Sequence, residues 1–461
     1  MTEAASPAAP LGATTAAPPA VPGITAGYRT YALWLLLGIY TLNFLDRQIV
    51  NILAEPIKQE LGLADWQLGM LTGLSFALFY TVLGLPIARI AERGNRVAII
   101  SIAVAVWSAF TVACGLAQNF VQLLLARIGV GVGEAGCTPP AHSLITDYTP
   151  KEKRASALAF YSMGVPIGSL LGLAMGAVIA DQYGWRTAFL VAGAPGLLIG
   201  VLAWLTLKEP RRMAEFKAAQ TTADAPTTFG QALTELRSKK TFWRIAIATA
   251  LISFIGYAHV AFFGSFFIRV HGAELEGLAR TVGGALGMEL GALGFLGPAL
   301  GLMIGIAGAL GTWLGGQIAD RAARKDLRAY MSVPSIAVLL GAPFFVAAML
   351  VGDPMLALLL LAVPTLLNSL WSGPVYAAVQ GMVQPRTRAT AVAVLLFVVN
   401  LIGLGLGPLA VGVLSDVLAT AGGLGEAEGL RWALLISGGI GLLVAAFFWS
   451  ARSTIREEMV S

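Results

Sequence analysis

Apolar stretches of about the same length, each closed by a short polar link, recur along nearly the whole chain. About 20 apolar residues in a helix span the hydrocarbon core of a bilayer. The pattern predicts twelve such crossings, at 31–54, 66–88, 97–117, 120–146, 155–180, 187–207, 243–268, 291–318, 329–351, 355–382, 389–415 and 431–451. In the stretch 270–300 a Gly-rich link and the start of the eighth crossing run into each other. The longest internal polar segment, 208–241, lies near the middle of the chain. The predicted fold class is therefore an all-α membrane protein of twelve transmembrane helices in two six-helix pseudo-repeats. Its parts are a tail at 1–27, an N-terminal bundle at 28–207, a linker at 208–241, a C-terminal bundle at 242–452 and a tail at 453–461.

The halves echo each other at matching places. The link after the second crossing reads Ala88-Arg89-Ile90-Ala91-Glu92-Arg93-Gly94-Asn95-Arg96. The link after the eighth reads Gly316-Gln317-Ile318-Ala319-Asp320-Arg321-Ala322-Ala323-Arg324-Lys325. Each is an acid followed by basic residues at a helix end. Gly168, Gly172 and Asp181 of the fifth crossing correspond to Gly403, Gly407 and Asp416 of the eleventh, all 235 positions on, and Pro150 pairs with Pro385 at the same offset. Duplicated six-helix halves are how rocker-type transporters are built, with the substrate held between them near the midplane.

Composition supports this picture. Apolar residues make up 57% of the chain and charged residues only 12%, with mean hydropathy +0.77. A water-soluble core cannot absorb that much apolar surface. The 54 glycines suit closely packed membrane helices. The Ala- and Pro-rich start has neither a basic nor an apolar region of a signal peptide and reads as a disordered tail. Cys114 and Cys137 both fall in apolar segments and are expected to be free thiols. The net charge of +5 could suggest nucleic acid, but its distribution argues otherwise. Loops on the side of the termini hold 23 Lys and Arg, and the opposite loops hold 5. The positive-inside rule then places both termini in the cytoplasm, and the expected location is an inner (plasma) membrane.

Charges inside the crossings carry the candidate chemistry. A charged residue at mid-bilayer costs at least about 2.5–3.5 kcal/mol on insertion scales, so it needs a partner and a purpose. Asn43, Asp46 and Arg47 share a face of the first crossing, and Arg127, Gly131 and Glu134 share a face of the fourth. Two acids and two bases suggest a local ion-pair network. A buried carboxylate beside an arginine can take up and release a proton, and the planar guanidinium suits phosphate or carboxylate groups. Asp46, Glu134, Arg47 and Arg127 are the proton-coupling candidates; a structural salt-bridge cluster is the plainer alternative. Tyr257 and His259 stand in an aromatic seventh crossing, and Asn368, Trp371 and Tyr376 in the tenth. With Asn43, Arg47 and Glu134 they are the substrate-binding candidates. Glu92, Arg93, Asp147, Arg154, Asp320, Arg321 and Arg324 at the link ends are gating candidates, although basic residues there also satisfy the positive-inside rule. Gly164, Gly168, Gly172 and Gly176 form a small-residue stripe that close packing explains.

These residues resemble the major facilitator superfamily. The two links look like its cytoplasmic loop signature, the second copy nearly complete. The first departs from it, with Glu92 for the usual Asp and Ala88 for the leading Gly. Arg127 followed by Gly131 resembles its fourth-helix motif, which that likeness links to proton coupling. Within the superfamily, residues 40–190 are most similar to Spinster-type transporters. The matches are Asn43-Phe44-Leu45-Asp46-Arg47, Trp107-Ser108, Arg127, Gly131-Val132-Gly133-Glu134-Ala135, Leu144-Ile145-Thr146-Asp147 and Pro166-Ile167-Gly168-Ser169 with Gly172. The resemblance implies proton-linked movement of amphipathic lipids such as lysophospholipids or sphingoid phosphates, with functional roles for Asp46, Arg47 and Glu134. Proton-coupled organic-anion symporters share the Asp-Arg and Gly-x-x-Glu-Ala patterns and are the alternative, with drug/proton antiport beside them. A non-transporting receptor is the alternative of another class. An enzyme is not expected. There is no His-Glu-x-x-His, no Gly-x-Ser-x-Gly and no Gly-Lys pair for a Walker A loop. The expected partners are a small amphipathic substrate and the bilayer. The chain is expected to be monomeric, with the proton as coupling ion and no metal, cofactor or nucleic acid.

Overall fold

The computed structural model describes residues 24–212, 229–384 and 387–460, all helices and connections. Among the described residues, ten helices are long and apolar enough to cross a bilayer. One of them, Arg154–Arg212, breaks at Gly184 (φ 83°, ψ 158°) and crosses twice. With Ala26–Leu61, which carries Asp46 and Arg47, there are twelve passages. We number them α1 (Ala26–Leu61), α2 (Asp65–Glu92), α3 (Arg96–Leu116), α4 (Phe120–Tyr148), α5 (154–183), α6 (185–206), α7 (Lys240–Leu286), α8 (Ala292–Ala323), α9 (Ala329–Leu350), α10 (Pro354–Gly381), α11 (Thr390–Thr420) and α12 (Gly425–Ala451).

Helix ends follow local chemistry. Thr25, Asn95, Asn119 and Asp353 each accept a backbone N–H from the first turn of the helix they precede, which satisfies donors that have no partner inside the helix. Gly62 ends α1 in the left-handed conformation that lacks a Cβ penalty. In the ambiguous stretch 270–300, α7 does not stop at the membrane edge. It kinks at His271 (φ −125°, ψ 20°) and runs on to Leu286 before α8 begins.

The glycine stripe of α5 packs on α1. A Cβ at Gly172 would lie 2.7 Å from the carbonyl oxygen of Leu45, and one at Gly168 would meet that of Thr41. This backbone approach fixes the segment of α1 that carries the membrane charges. α2 and α11 each contain a π-helical turn, at Met70–Leu74 and Val399–Leu406, and meet there across the halves: a Cβ at Gly73 would lie 2.8 Å from the carbonyl oxygen of Leu404. Among the described residues, the hydrogen bonds and ion pairs that join the halves all lie on the side away from the termini. The interior between the halves therefore faces the side of the termini.

Candidate functional site

Asp46 and Arg47 are successive residues, so their side chains leave α1 about 100° apart. Arg47 reaches α4, where its Nε donates to Glu134 Oε2 at 2.7 Å. Its guanidinium carbon sits 4.5 Å from the ring centre of Tyr80, 4.8 Å from Phe76 and 5.0 Å from Phe44, an aromatic box with cation–π attraction on three sides. The Arg47 side chain is 15% exposed and Glu134 is fully buried. Arg47 thus stands between the carboxylate and the interior space.

Asp46 turns into the N-terminal half and accepts from Thr111 Oγ1 at 3.0 Å. Its other oxygen, and Oε1 of Glu134, accept no hydrogen bond from protein. Arg127 does not pair with a carboxylate. Its Nε donates to the carbonyl of Leu71 (3.3 Å) in the π turn of α2, and Nη1 approaches the backbone oxygen of Asp46 at 3.5 Å. The expected four-charge network is corrected to one ion pair, Arg47–Glu134, with Asp46 and Arg127 on separate partners. The cause is geometric: neighbours at i and i+1 do not face each other on a helix. The Leu71 carbonyl in that π turn accepts from Arg127 and also from the Ser75 hydroxyl at 3.4 Å. Asn43 is buried beside Glu134, and its amide makes no hydrogen bond of ordinary length and angle among the described residues.

In the C-terminal half, Tyr257, His259, Asn368 and Trp371 line one cavity of about 270 Å³ together with Ile252, Phe263, Phe345 and Leu361. Among the described residues, only Gln48 reaches it from the N-terminal half. His259 lies flat against Phe345 (centroids 4.5 Å, planes 2° apart) and shares a hydrogen bond of 3.0 Å with Ser437 Oγ. Tyr376 is not in this wall; it packs near Trp371 in a second core of the C-terminal half. The cavity is apolar with a few polar groups, the usual character of a small-molecule site.

The link residues divide in a way the sequence does not announce. Asp147 accepts from Arg96 Nη1 at 2.6 Å, and Arg96 also grips Glu209. Arg211 donates to the carbonyls of Ala91 and Glu92. So the first link is tied by its backbone to the start of the linker. Arg154 donates to the carbonyls of Thr146 and Thr149. The side chain of Arg93, and residue Pro385, lie outside the described residues. In the second link Asp320 accepts from the Tyr330 hydroxyl at 3.3 Å rather than pairing with Arg321 or Arg324. Asp326 of the same connection is held below the usual carboxylate range by the backbone N–H of Arg328 and by Arg456.

Sequence reasoning missed a second charge cluster, on the side away from the termini. Arg269 of α7 bonds Asp65 through both terminal nitrogens (2.8 and 2.7 Å) and Glu55 through Nε (2.9 Å); Lys58 joins Asp65 at 3.0 Å. Its one signal was Arg269 itself, a basic residue on the side where few occur. Gln48, next to Arg47 in the polar run of α1, was also legible. Thr111, Phe76 and Tyr80 carried no signal.

The family described as the Major Facilitator Superfamily matches residues 36–408, and the chain belongs to it: it is a multi-pass membrane transporter, not an enzyme. Similar proteins include an MFS-type efflux pump of Mycolicibacterium smegmatis, 33% identical over 93% of this chain and 94% of its own. Protein spinster homolog 1 of Mus musculus is 26% identical over 95% of this chain and 83% of its own. A crystal structure of a bacterial homolog to the human lysosomal transporter Spinster, inward-facing and unoccupied, is 33% identical, with a TM-score of 0.84, covering 95% of this chain and 99% of that one. Within the superfamily the protein is of the Spinster type.

Proposed function

We propose that this protein is a proton-coupled secondary transporter of amphipathic anionic small molecules, most suitably lysolipids or sphingoid phosphates, working by alternating access. The observation that carries the reading is the Arg47–Glu134 pair, a buried carboxylate whose only ion-pair partner borders the space between the halves. When Glu134 takes a proton, Arg47 loses its counter-charge and offers an anionic headgroup a planar fork. When the headgroup leaves, the pair re-forms and the proton is released. The aromatic box keeps the guanidinium in place in both states. The apolar wall of Phe263, Phe345, Ile252 and Leu361 accommodates a tail. Asp46 lends a second buried carboxyl on the same helix. In this reading the chain works as a monomer in a bacterial inner membrane, with both termini in the cytoplasm, and needs no metal or cofactor.

The test is transport in proteoliposomes under an imposed pH gradient, screening lysolipids, organic anions and drugs. Glu134→Gln and Asp46→Asn are expected to abolish proton-driven movement while the protein remains folded. Full proton coupling in both variants removes the mechanism. The M. smegmatis relative is an efflux pump, which favours drug export as the second reading; a screen in which drugs move and lysolipids do not selects it. Binding without net movement would mark a receptor.

A further inference from the structure

Of the six helices that begin on the side away from the termini, the second and fourth of each half fall into two kinds. α4 and α10, the fourth helix of each half, are capped by their own Asn119 and Asp353. α2 and α8, the second helix of each half, are preceded by Ala64 and Gly291, whose side chains have no oxygen to offer. Their free N–H groups find acceptors in the other half of the molecule. Asp181 at the end of α5 accepts from the backbone N–H of Gly291 at 2.7 Å. Asp416 in α11 accepts from those of Asp65 (3.0 Å) and Trp66 (2.8 Å).

Asp181 and Asp416 are the residues related by the 235-position repeat, and α2 and α8 are repeat mates as well. The same contact is therefore drawn twice by the pseudo-two-fold axis. Each half ends a helix in a carboxylate that takes N–H groups at the start of a helix in the other: those of the first two residues of α2, and that of Gly291 immediately before α8. A carboxylate at a helix N-terminus satisfies unpartnered donors and meets the positive end of the helix dipole. The helix pairs at each contact are closely packed: a Cβ at Gly294 would lie 2.8 Å from the Asp181 carboxylate, and backbone meets backbone where one at Gly301 would lie 3.0 Å from the Leu170 carbonyl and one at Gly412 would strike that of Asp65. Separation at this face removes both acceptors together.

We propose that Asp181 and Asp416 form a paired gate: each lends an N-cap to the opposite half, and opening the face away from the termini requires both caps to be given up. The argument needs only a transporter that alternates between faces, not proton drive or a particular substrate.

A cysteine placed in the closed seam reads the open population directly. Leu173, 2% exposed on α5, serves as the site, and the native Cys114 and Cys137 are buried. In the Leu173→Cys background, labelling by a membrane-impermeant maleimide from the face away from the termini is proportional to the fraction open there. Asp181→Ala and Asp416→Ala are each expected to speed labelling roughly fivefold, the effect of a lost N-cap, and the double variant about 25-fold, because the sites are separate. Asp181→Asn and Asp416→Asn, which keep a capping oxygen, are expected to restore most of the parent rate. Ala64→Ser gives α2 a cap of its own and takes nothing from the fold. It is expected to speed labelling by itself, a result that stands even if an alanine variant folds poorly, and to make Asp416→Ala nearly silent. Unchanged labelling in the alanine variants or in Ala64→Ser, a response at only one aspartate, or asparagine variants as fast as alanine would each overturn the paired gate.

Discussion

Arg127 shows how a residue's chemistry and its placement can part. A buried arginine beside a buried glutamate in the same helix face suggests a proton relay. In the structure its donors go to the carbonyls of Leu71 and Asp46, and its guanidinium stands 5.6 Å from the ring centre of Phe76. These are ties between α4, α2 and α1. Arg127→Leu is expected to destabilise the protein by about 1–3 kcal/mol, because the buried Leu71 carbonyl loses its charged donor and keeps only the long contact from the Ser75 hydroxyl, and thermal unfolding in detergent measures it. Arg127→Lys, which keeps a donor, is expected to lose less stability and to retain a pH-dependent transport rate. Loss of pH dependence with unchanged stability would place Arg127 in the coupling machinery. The pairing of Arg47 with Glu134 was within reach of the sequence, since both are intramembrane charges and each needs a partner. The choice of Thr111 for Asp46 was not, because it depends on how α3 is rotated against α1.

The helices themselves were the most legible feature, because length and apolarity are properties of the sequence alone. Where apolarity gives no boundary, legibility fails. The seventh crossing was expected over 243–268, yet α7 runs from Lys240 to Leu286 with only a kink at His271. The stretch beyond the kink buries Leu275 and Ala279 under the end of the C-terminal half, so packing extends a helix that hydropathy alone would have ended. The glycine stripe of α5 gives the element scale its test. Gly172→Ala forces a methyl toward the Leu45 carbonyl, and overpacking of this kind costs about 1–3 kcal/mol. Both thermal stability and transport are expected to fall, since the displaced segment of α1 carries Arg47. Gly256→Ala, with nothing within 4 Å of the added carbon, is the expected neutral control for stability. Equal effects at the two sites would refute the packing role.

At the scale of the whole molecule, the repeat in the sequence announced two related halves, but not which face they close. That is set by contacts between residues hundreds of positions apart, such as Ser415 to Asp65 and Arg269 to Glu55, and no local pattern encodes them. Arg269 neutralises two acids of the other half that are themselves nearly buried. Removing one partner of a buried pair is strongly destabilising, because the remaining charge stays uncompensated. Arg269→Ala is therefore expected to shift the molecule towards the state open away from the termini, where Glu55 and Asp65 can hydrate. Spin labels across that face should report a larger population of long distances; an unchanged distance distribution would mean that Arg269 plays no part in closure.

The internal pair of Arg47 and Glu134 also has an electrical side. With both ionised they sum to zero, so reorientation of the empty carrier moves no net charge from these two groups through the bilayer field. Once Glu134 is protonated, Arg47 alone would carry one positive charge, worth about 2.3 kcal/mol per 100 mV, unless an anion rides with it. In the proposed cycle, then, a monoanionic cargo makes the loaded step voltage-neutral as well, whereas a dianionic headgroup would leave the turnover rate responsive to membrane potential.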